Sequence, residues 1–435
     1  MGSYFGTDGI RGITNEFLTG DLAFKAGNAL GQIKKKALIV VGRDTRISGD
    51  MLALSLASGA ISAGATVFDL GIIPTAGVAY ITRQLNADFG VVISASHNPP
   101  EHNGIKVFSS QGYKLDKDLE DEIERKMATM SLLPNSEIGR YFQKSQLVDL
   151  YGLSIENICK EGLKGLKVVI DCSNGASYKV APKIFKDLEA DIIALNVSKA
   201  GDDINKDCGA LHPEKLAEMV VKTNSDCGFA YDGDSDRLIA VDEKGNIIDG
   251  DKLIYMIANY YKEHGMLEKN LVVGTAHTNM GVQKKLFEDG IDMLRSDIGD
   301  KYVIEMMLKQ GAVVGGEQSG HIILKNYTTT GDGILSSIVV AKILAETKKP
   351  LSSFVDVKLY PQVNVNVKVK DKVRVLNNEV LAEAIEKEKE YLKNRGRVVV
   401  RASGTEDIIR IFTETESQEL SKEVTDRIVK VIESI

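Results

Sequence analysis

A chain of 435 residues is too long for one ordinary hydrophobic core and predicts roughly three or four domains. Its 43% hydrophobic and 26% charged residues are ordinary for a globular protein, and a net charge of −7 argues against general nucleic-acid affinity, which needs broad basic surface. No apolar run approaches the ~20 residues that cross a bilayer, and the start Met1-Gly2-Ser3-Tyr4-Phe5-Gly6 lacks a basic segment followed by an apolar one. A cytoplasmic location is expected, with neither nucleic acid nor membrane as partner. Cys159, Cys172, Cys208 and Cys227 form no CxxC pair, which points to inert thiols and away from a disulfide framework or a cysteine zinc site.

From residue 21 to about 347, helix-like segments alternate with short apolar runs, the pattern of similar α/β domains on mixed, largely parallel sheets. Strands are predicted at Ala37 to Val41, Gly90 to Ile93, Lys167 to Ile170, Gly228 to Tyr231, Leu271 to Val273 and Ala312 to Val314. Three runs end in dense polar loops: Ser94-Ala95-Ser96-His97-Asn98-Pro99, Asp232-Gly233-Asp234-Ser235-Asp236-Arg237 and Gly316-Glu317-Gln318-Ser319-Gly320-His321. Ligands of open α/β sheets bind beyond the carboxyl ends of strands, where such loops sit. From Gln362 the pattern changes: Val363, Val365, Val367 and Val369 alternate as a strand, then come a Glu- and Lys-rich helix, two strands and a final helix, a small α+β domain joined by a hinge near Pro361. The expected division is 1–150, 151–250, 251–360 and 361–435.

The first loop sets the Ser96 hydroxyl beside His97 at a strand end, with Lys106 downstream. A serine held so is a plausible nucleophile, although an isolated Ser-His pair in a turn is more ordinarily local backbone bonding. In the second loop Asp232, Asp234 and Asp236 fall within five residues. At ~6 Å and an effective dielectric of about 20 each pair repels by about 3 kcal/mol, a cost that a bound cation removes. All-oxygen ligands suit a hard ion such as Mg²⁺. An EF-hand is excluded, because Arg237 stands where its glycine is needed and Leu238 to Val241 reads as a strand, whatever the spacing to Glu243. In the third loop Glu317, Ser319 and His321 offer an acceptor, a hydroxyl and an imidazole to one ligand, or else stabilise a tight turn. Near the carboxyl end, Arg401-Ala402-Ser403-Gly404-Thr405-Glu406 has the composition of an anion-binding turn without the lysine and spacing of a Walker A loop.

These four motifs in this order, with Tyr4-Phe5-Gly6-Thr7-Asp8-Gly9-Ile10-Arg11-Gly12, closely resemble the α-D-phosphohexomutase family over nearly the whole chain. The amino-terminal motif and Gln318 are most similar to its phosphoglucosamine mutase branch. The resemblance implies a phosphoserine at Ser96 and one Mg²⁺ per chain held by Ser96, Asp232, Asp234 and Asp236. It further implies charge stabilisation by Arg11, Arg237 and Lys106, acid–base roles for Lys106 and His321, and His97 as an orienting group. Glu317 and Ser319 would hold the sugar; Arg401, Ser403, Gly404 and Thr405 would grip the phosphate that is not reacting. The four domains would then carry phosphoserine, metal, sugar and phosphate sites in turn, with the last closing over the ligand. The implied reaction interconverts glucosamine 6-phosphate and glucosamine 1-phosphate through a 1,6-bisphosphate, which also serves as activator, and feeds UDP-N-acetylglucosamine and cell-wall synthesis. A phosphoglucomutase or phosphomannomutase is the alternative within the family; a serine-dependent phosphatase and a non-catalytic phosphosugar-binding protein are the alternatives outside it. The chain departs from the family at Ala402 and Asp407, where proline is usual, at Ser235, where glycine is common, and at Lys301, where this branch usually has arginine. A homodimer is left open.

Overall fold

The computed structural model describes residues 4–6, 8–403 and 407–435, and the chain divides into two compact units, residues 1–277 with 290–356 and residues 278–289 with 357–435. The larger unit holds three sheets. The first comprises β1 (Ile10–Ile13), β2 (Leu38–Arg43), β3 (Thr66–Ile72), β4 (Phe89–Ile93), β5 (His102–Ser109) and β6 (Tyr141–Gln143) in the order β1-β5-β4-β2-β3-β6. The second comprises β7 (Lys167–Asp171), β8 (Asp191–Leu195), β9 (Cys227–Tyr231), β10 (Leu238–Asp242) and β11 (Ile247–Ile248) in the order β11-β10-β9-β7-β8. The third comprises β12 (Leu271–Thr275), β13 (Asp292–Ser296), β14 (Val314–Gly316) and β15 (Ile322–Leu324) in the order β13-β12-β14-β15.

One construction recurs in all three. The parallel strands β4, β9 and β14 are each followed by an antiparallel return strand, β5, β10 and β15 respectively. The three polar loops of the sequence are the turns between these pairs, so all three sit at the carboxyl ends of parallel strands. Apolar composition explains the placement: Phe89–Ile93 and Cys227–Tyr231 are buried along their whole length, as strands covered on both faces must be. In β2 the period-two alternation sends Ile39 and Val41 to one core with Leu30, Leu52 and Leu56, and Val40 to the opposite core with Ile73, Val78 and Ile81. The first of these cores is covered by α1 (Gly20–Ile33), capped by the Thr19 hydroxyl, and α2 (Ser48–Ser62); the second by α3 (Thr75–Gln84), which starts after Pro74.

One strand differs from expectation. The run at Ala312 to Val314 begins its ladder only at Val314, because the helix Asp300–Gln310 ends on Gly311 at φ 80° and the Ala312 N–H still donates to the Met307 carbonyl. This is a left-handed helix stop that delays the strand by two residues. Leu238–Asp242 is a strand, and Glu243 accepts from the Ser352 hydroxyl at 2.5 Å, which disposes of the EF-hand pattern.

In the smaller unit β16 (Gln362–Lys368), β17 (Gly396–Ala402) and β18 (Ile408–Thr415) form an antiparallel sheet in the order β16-β18-β17, backed by the helices Glu379–Leu392 and Gln418–Ser434. Residues 278–289, in the midst of the segment 251–360, group with this unit through their polar contacts. The Met280 N–H donates to Glu414, the Asn279 amide to the Tyr360 carbonyl and the Arg397 guanidinium to the Thr278 carbonyl. No helix among the described residues is long and apolar enough to cross a membrane.

Candidate active site

The three loops converge in the larger unit. Ser96 follows β4 and is buried, with φ 53°, a left-handed conformation that costs a residue with a side chain of order 1 kcal/mol or more. Its hydroxyl donates to Asp232 Oδ2 at 2.5 Å and lies 3.4 Å from His97 Nδ1. Burial and the nearby Arg237 and Arg11 push the His97 imidazole down to about 4, so it is neutral at neutral pH and suited to orienting the hydroxyl. The approach of the two loops depends on Gly233: a Cβ there would stand 2.6 Å from the Ser96 carbonyl oxygen.

The three aspartates are buried, and each offers a ligand atom within 4.8 Å of the others. One oxygen of each is anchored by the protein. Asp234 Oδ2 accepts from Lys106 Nζ at 2.7 Å and Thr75 Oγ1 at 2.6 Å. Asp236 Oδ2 faces Lys106 at 3.5 Å and His321 Nδ1 at 3.6 Å, and Asp232 Oδ1 accepts the Arg237 N–H at 3.2 Å. The second oxygens, Asp234 Oδ1 and Asp236 Oδ1, have no hydrogen-bond partner among the described residues although they are buried. Burial, and after it the neighbouring carboxylates of Asp236 and Asp234, push Asp232 up to about 8. Orphaned hard oxygens in a concentration of negative charge fit a divalent hard cation, with Ser96 Oγ at its edge. Ser235, in the same loop, has φ 61°, in the left-handed region that favours glycine.

Lys106 lies beneath the cleft, 2% exposed. Burial opposes its charge, but Asp234, Asp8 and Asp236 outweigh that and hold the ammonium above the ordinary lysine range. It can therefore give a proton or neutralise charge, and is not a resting base. His321 is buried as well. Burial opposes its protonation, and Asp236 and Asp300 reverse that, raising it to about 9. The Gly331 N–H, however, donates to Nε2 at 3.0 Å, which requires a lone pair on that nitrogen. This contact sets the resting form: Nδ1 carries the proton toward Asp236 and Nε2 is the acceptor. Gly331 is a close approach, since a Cβ there would lie 2.5 Å from the imidazole.

Above these groups opens a cleft of about 1020 Å³ that brings together Arg11, Ser96, His97, Arg237, Glu317, Ser319 and His321. Arg11 donates to the Ala95 carbonyl at 3.3 Å and pairs with Asp8. Glu317 Oε1 accepts the Gly299 N–H at 3.2 Å. Gln318 does not line the cleft; its amide donates to Asp249 Oδ2 at 3.2 Å, at the cap of the helix Gly250–Glu263. Lys301 is at the cleft, with Nζ donating to the Leu115 carbonyl at 3.1 Å. In the smaller unit, Arg401 is exposed near the end of β17, and the Ser403 N–H donates to the Ile408 carbonyl at 3.0 Å. Gly404 and Thr405 lie outside the described residues.

Sequence reasoning alone does not single out Thr75, Lys114 or the charge role of Asp8. Lys114 bridges Asp8 and Asp300 across the cleft floor, at 2.5 Å from the latter. Burial opposes the charged form of Asp8, yet Lys106, Lys114 and Arg11 hold its carboxyl well below the usual range. The only signals were the aspartates inside Thr7-Asp8-Gly9 and Gly299-Asp300-Lys301, whose partners lie far along the chain.

The chain is similar to known proteins along nearly its whole length. Models described as phosphoglucomutase/phosphomannomutase α/β/α domains I, II and III match residues 2–133, 149–245 and 249–360, and the C-terminal domain of the same family matches residues 364–431. A phosphoglucosamine mutase of Carboxydothermus hydrogenoformans is 45% identical over 444 residues, covering 100% of both chains. A phosphoglucomutase/phosphomannomutase family protein of Burkholderia thailandensis shares the fold with a TM-score of 0.84 at 24% identity, over 99% of this chain and 97% of that one. Aspergillus fumigatus N-acetylphosphoglucosamine mutase, solved with GlcNAc-6P and magnesium, shares it with a TM-score of 0.67 at 17% identity, over 99% and 95%. With four successive domain matches, full-length identity of this order and a serine set against three carboxylates at the carboxyl ends of paired strands, this chain belongs to the phosphoglucomutase/phosphomannomutase family.

Proposed function

We propose that the chain is a phosphoglucosamine mutase that interconverts glucosamine 6-phosphate and glucosamine 1-phosphate in the cytoplasm, with Ser96 as phosphoryl carrier. The observation that carries this reading is the Ser96 hydroxyl, 2.5 Å from Asp232 within three buried carboxylates, two of which, Asp234 and Asp236, keep an unpartnered oxygen. The choice of amino sugar rests on the full-length identity to a relative of that name.

Mg²⁺ held by Asp232, Asp234, Asp236 and a phosphoserine oxygen would polarise the transferring phosphoryl group. The residues do the rest. In the forward half-reaction the bond between phosphorus and Ser96 Oγ breaks and one to the free sugar hydroxyl forms, giving the 1,6-bisphosphate. The hydroxyl proton passes to the protein, and Ser96 Oγ leaves as the alkoxide or takes a proton. Lys106, held as ammonium, is the acid of the pair, and His321 takes a sugar proton if the Gly331 bond to Nε2 gives way. After the bisphosphate reverses its ends, the same steps in reverse return its other phosphate to Ser96. Arg11 and Arg237 neutralise charge developing on the phosphoryl oxygens. Glu317 and Ser319 pair with sugar hydroxyls, and Arg401 with Ser403, Gly404 and Thr405 binds the distal phosphate. A hexose 1,6-bisphosphate would prime the serine.

A coupled assay with Mg²⁺ and a catalytic amount of 1,6-bisphosphate, comparing the 6-phosphates of glucosamine, glucose and mannose, tests the substrate. The highest kcat/KM is expected for glucosamine 6-phosphate. A ratio favouring glucose or mannose 6-phosphate would assign the chain to phosphoglucomutase or phosphomannomutase activity.

A further inference from the structure

Ser96 occupies a left-handed backbone conformation that persists only if its surroundings over-determine it. The structure supplies that constraint with side chains. The Ser96 carbonyl accepts from Arg46 Nη2 at 3.0 Å and from Asn205 Nδ2 at 2.8 Å, and the same two nitrogens reach the Asn98 carbonyl at 2.7 and 3.1 Å. Arg46 Nη1 adds the His102 carbonyl at 2.9 Å and the Pro99 carbonyl. Arg46 Nε donates to Asp44 Oδ2 at 3.0 Å; that oxygen also accepts the Ser94 hydroxyl at 2.5 Å, and Ser94 Oγ in turn accepts the Ser96 N–H at 2.9 Å. Both backbone polar groups of the serine are thus gripped by one connected network, and the Arg46 and Asp44 side chains at its centre are fully buried.

We propose that Arg46 and Asn205 are positioning residues for phosphoryl transfer, forming a clamp from the first and second α/β domains that fixes the direction of Ser96 Oγ. The inference rests on the reading of Ser96 as phosphoryl carrier. Neither side chain lines the cleft, so neither touches the sugar. Their effect runs through the Ser96 carbonyl, because rotation of that peptide swings Oγ away from Asp232. Asn205 comes from the same domain as the aspartate loop and is anchored there by its N–H to the Ser173 carbonyl at 3.0 Å. The clamp therefore ties the nucleophile's geometry to the placement of the three carboxylates. A buried guanidinium is suited to this, because its planar fork holds five donors in fixed directions, enough for four carbonyls and the Asp44 carboxylate, where an ammonium has three.

Asn205→Gly is the informative variant, since Asn205 itself has φ 60° and glycine keeps that backbone while removing the amide. Arg46→Lys is the companion, read with its thermal midpoint. The full chain is mixed with glucose 1,6-bisphosphate and Mg²⁺, quenched at intervals, and the phosphorylated fraction read by intact mass, alongside steady-state kcat and KM. Loading of Ser96 and kcat should both fall by about 100-fold in Asn205→Gly with KM and thermal midpoint nearly unchanged, the effect of a misplaced reacting atom. Loading and kcat within about twofold of wild type would overturn the clamp, as would a loss of kcat matched by loss of folded protein or confined to KM. If the wild type itself acquires no phosphoryl group on Ser96, the carrier reading has failed and the clamp's catalytic role with it, an outcome visible before any variant is compared.

Discussion

Asp234→Asn separates charge at the carboxylate cluster from stability. The ligand atoms of the three aspartates lie within 4.8 Å of one another, where each pair repels by about 3 kcal/mol at an effective dielectric of about 20. Asp234 faces two such neighbours, and near pH 9, where Asp232 too is ionised, neutralising it relieves about 6 to 7 kcal/mol. It also loses its attraction to Lys106, whose Nζ is 2.7 Å from Oδ2, an interaction of about 6 kcal/mol on the same scale. The two changes nearly cancel, and the amide oxygen can still accept from Thr75 and Lys106, so the metal-free variant should melt close to wild type. Cation binding behaves differently. The amide nitrogen then occupies the position of the unpartnered Oδ1, and a ligand is lost. At 100 times its Kd, Mg²⁺ stabilises the native wild type by about 2.7 kcal/mol; a 100-fold weaker site leaves about 0.4 kcal/mol. Thermal denaturation at pH 9 with and without Mg²⁺, next to kcat, reads both quantities. The expected result is an unchanged metal-free midpoint, a lost Mg²⁺ shift and a kcat lower by about 1000-fold. An equal Mg²⁺ shift in variant and wild type, or full activity in excess chelator, would refute the cation site.

Arg401→Ala should raise KM for the phosphosugar by about 10- to 100-fold with kcat largely kept, the worth of one charged hydrogen bond to a phosphate; an unchanged KM removes Arg401 from the ligand site. Burial pushes Asp332 up to about 6, against its hydrogen bonds from the Leu335 N–H and Tyr151. Below its unfolded pKa both states are protonated, and as pH rises to about 6 the unfolded chain loses the proton first, so this group's contribution to stability falls across that window. Asp332→Asn should therefore gain stability relative to wild type between pH 4 and 7, by up to about 3 kcal/mol; parallel pH profiles of the two denaturation midpoints would contradict the shift. Ser235→Gly should melt at or above the wild-type temperature with activity kept, since it relieves a left-handed residue worth about 1 kcal/mol, and a clear fall in midpoint would mean that the Ser235 side chain stabilises the loop.

Much of the site was legible because its chemistry sits in contiguous loops. Ser96, the three aspartates and the Glu317 to His321 turn each follow a strand buried along its length, so an apolar run ending abruptly in polar residues marked them. What holds these loops was not legible, since the partners are remote. Thr75 and Asp234 are separated by 159 residues and Asn205 and Ser96 by 109, and no local pattern links such pairs. The late start of β14 follows from how the preceding helix stops at Gly311, a tertiary detail that an apolar run conceals. Gln318 marks the phosphoglucosamine mutase branch in the sequence, yet its amide donates to Asp249, so any influence it has on the sugar is indirect. The grouping of residues 278–289 with the carboxyl-terminal unit was hidden for the same reason, because the contact from Met280 to Glu414 spans 134 residues.

The central claim is that Ser96 carries the phosphoryl group between the two ends of the sugar. Its most direct test is peptide mass spectrometry of wild-type enzyme quenched during turnover of glucosamine 6-phosphate, set beside the steady-state rate of Ser96→Ala. The account predicts one phosphoryl group on the peptide containing Ser96 and no multiple turnover by a folded Ser96→Ala enzyme. Near-normal turnover by that variant, or phosphate found on a different residue, would contradict it.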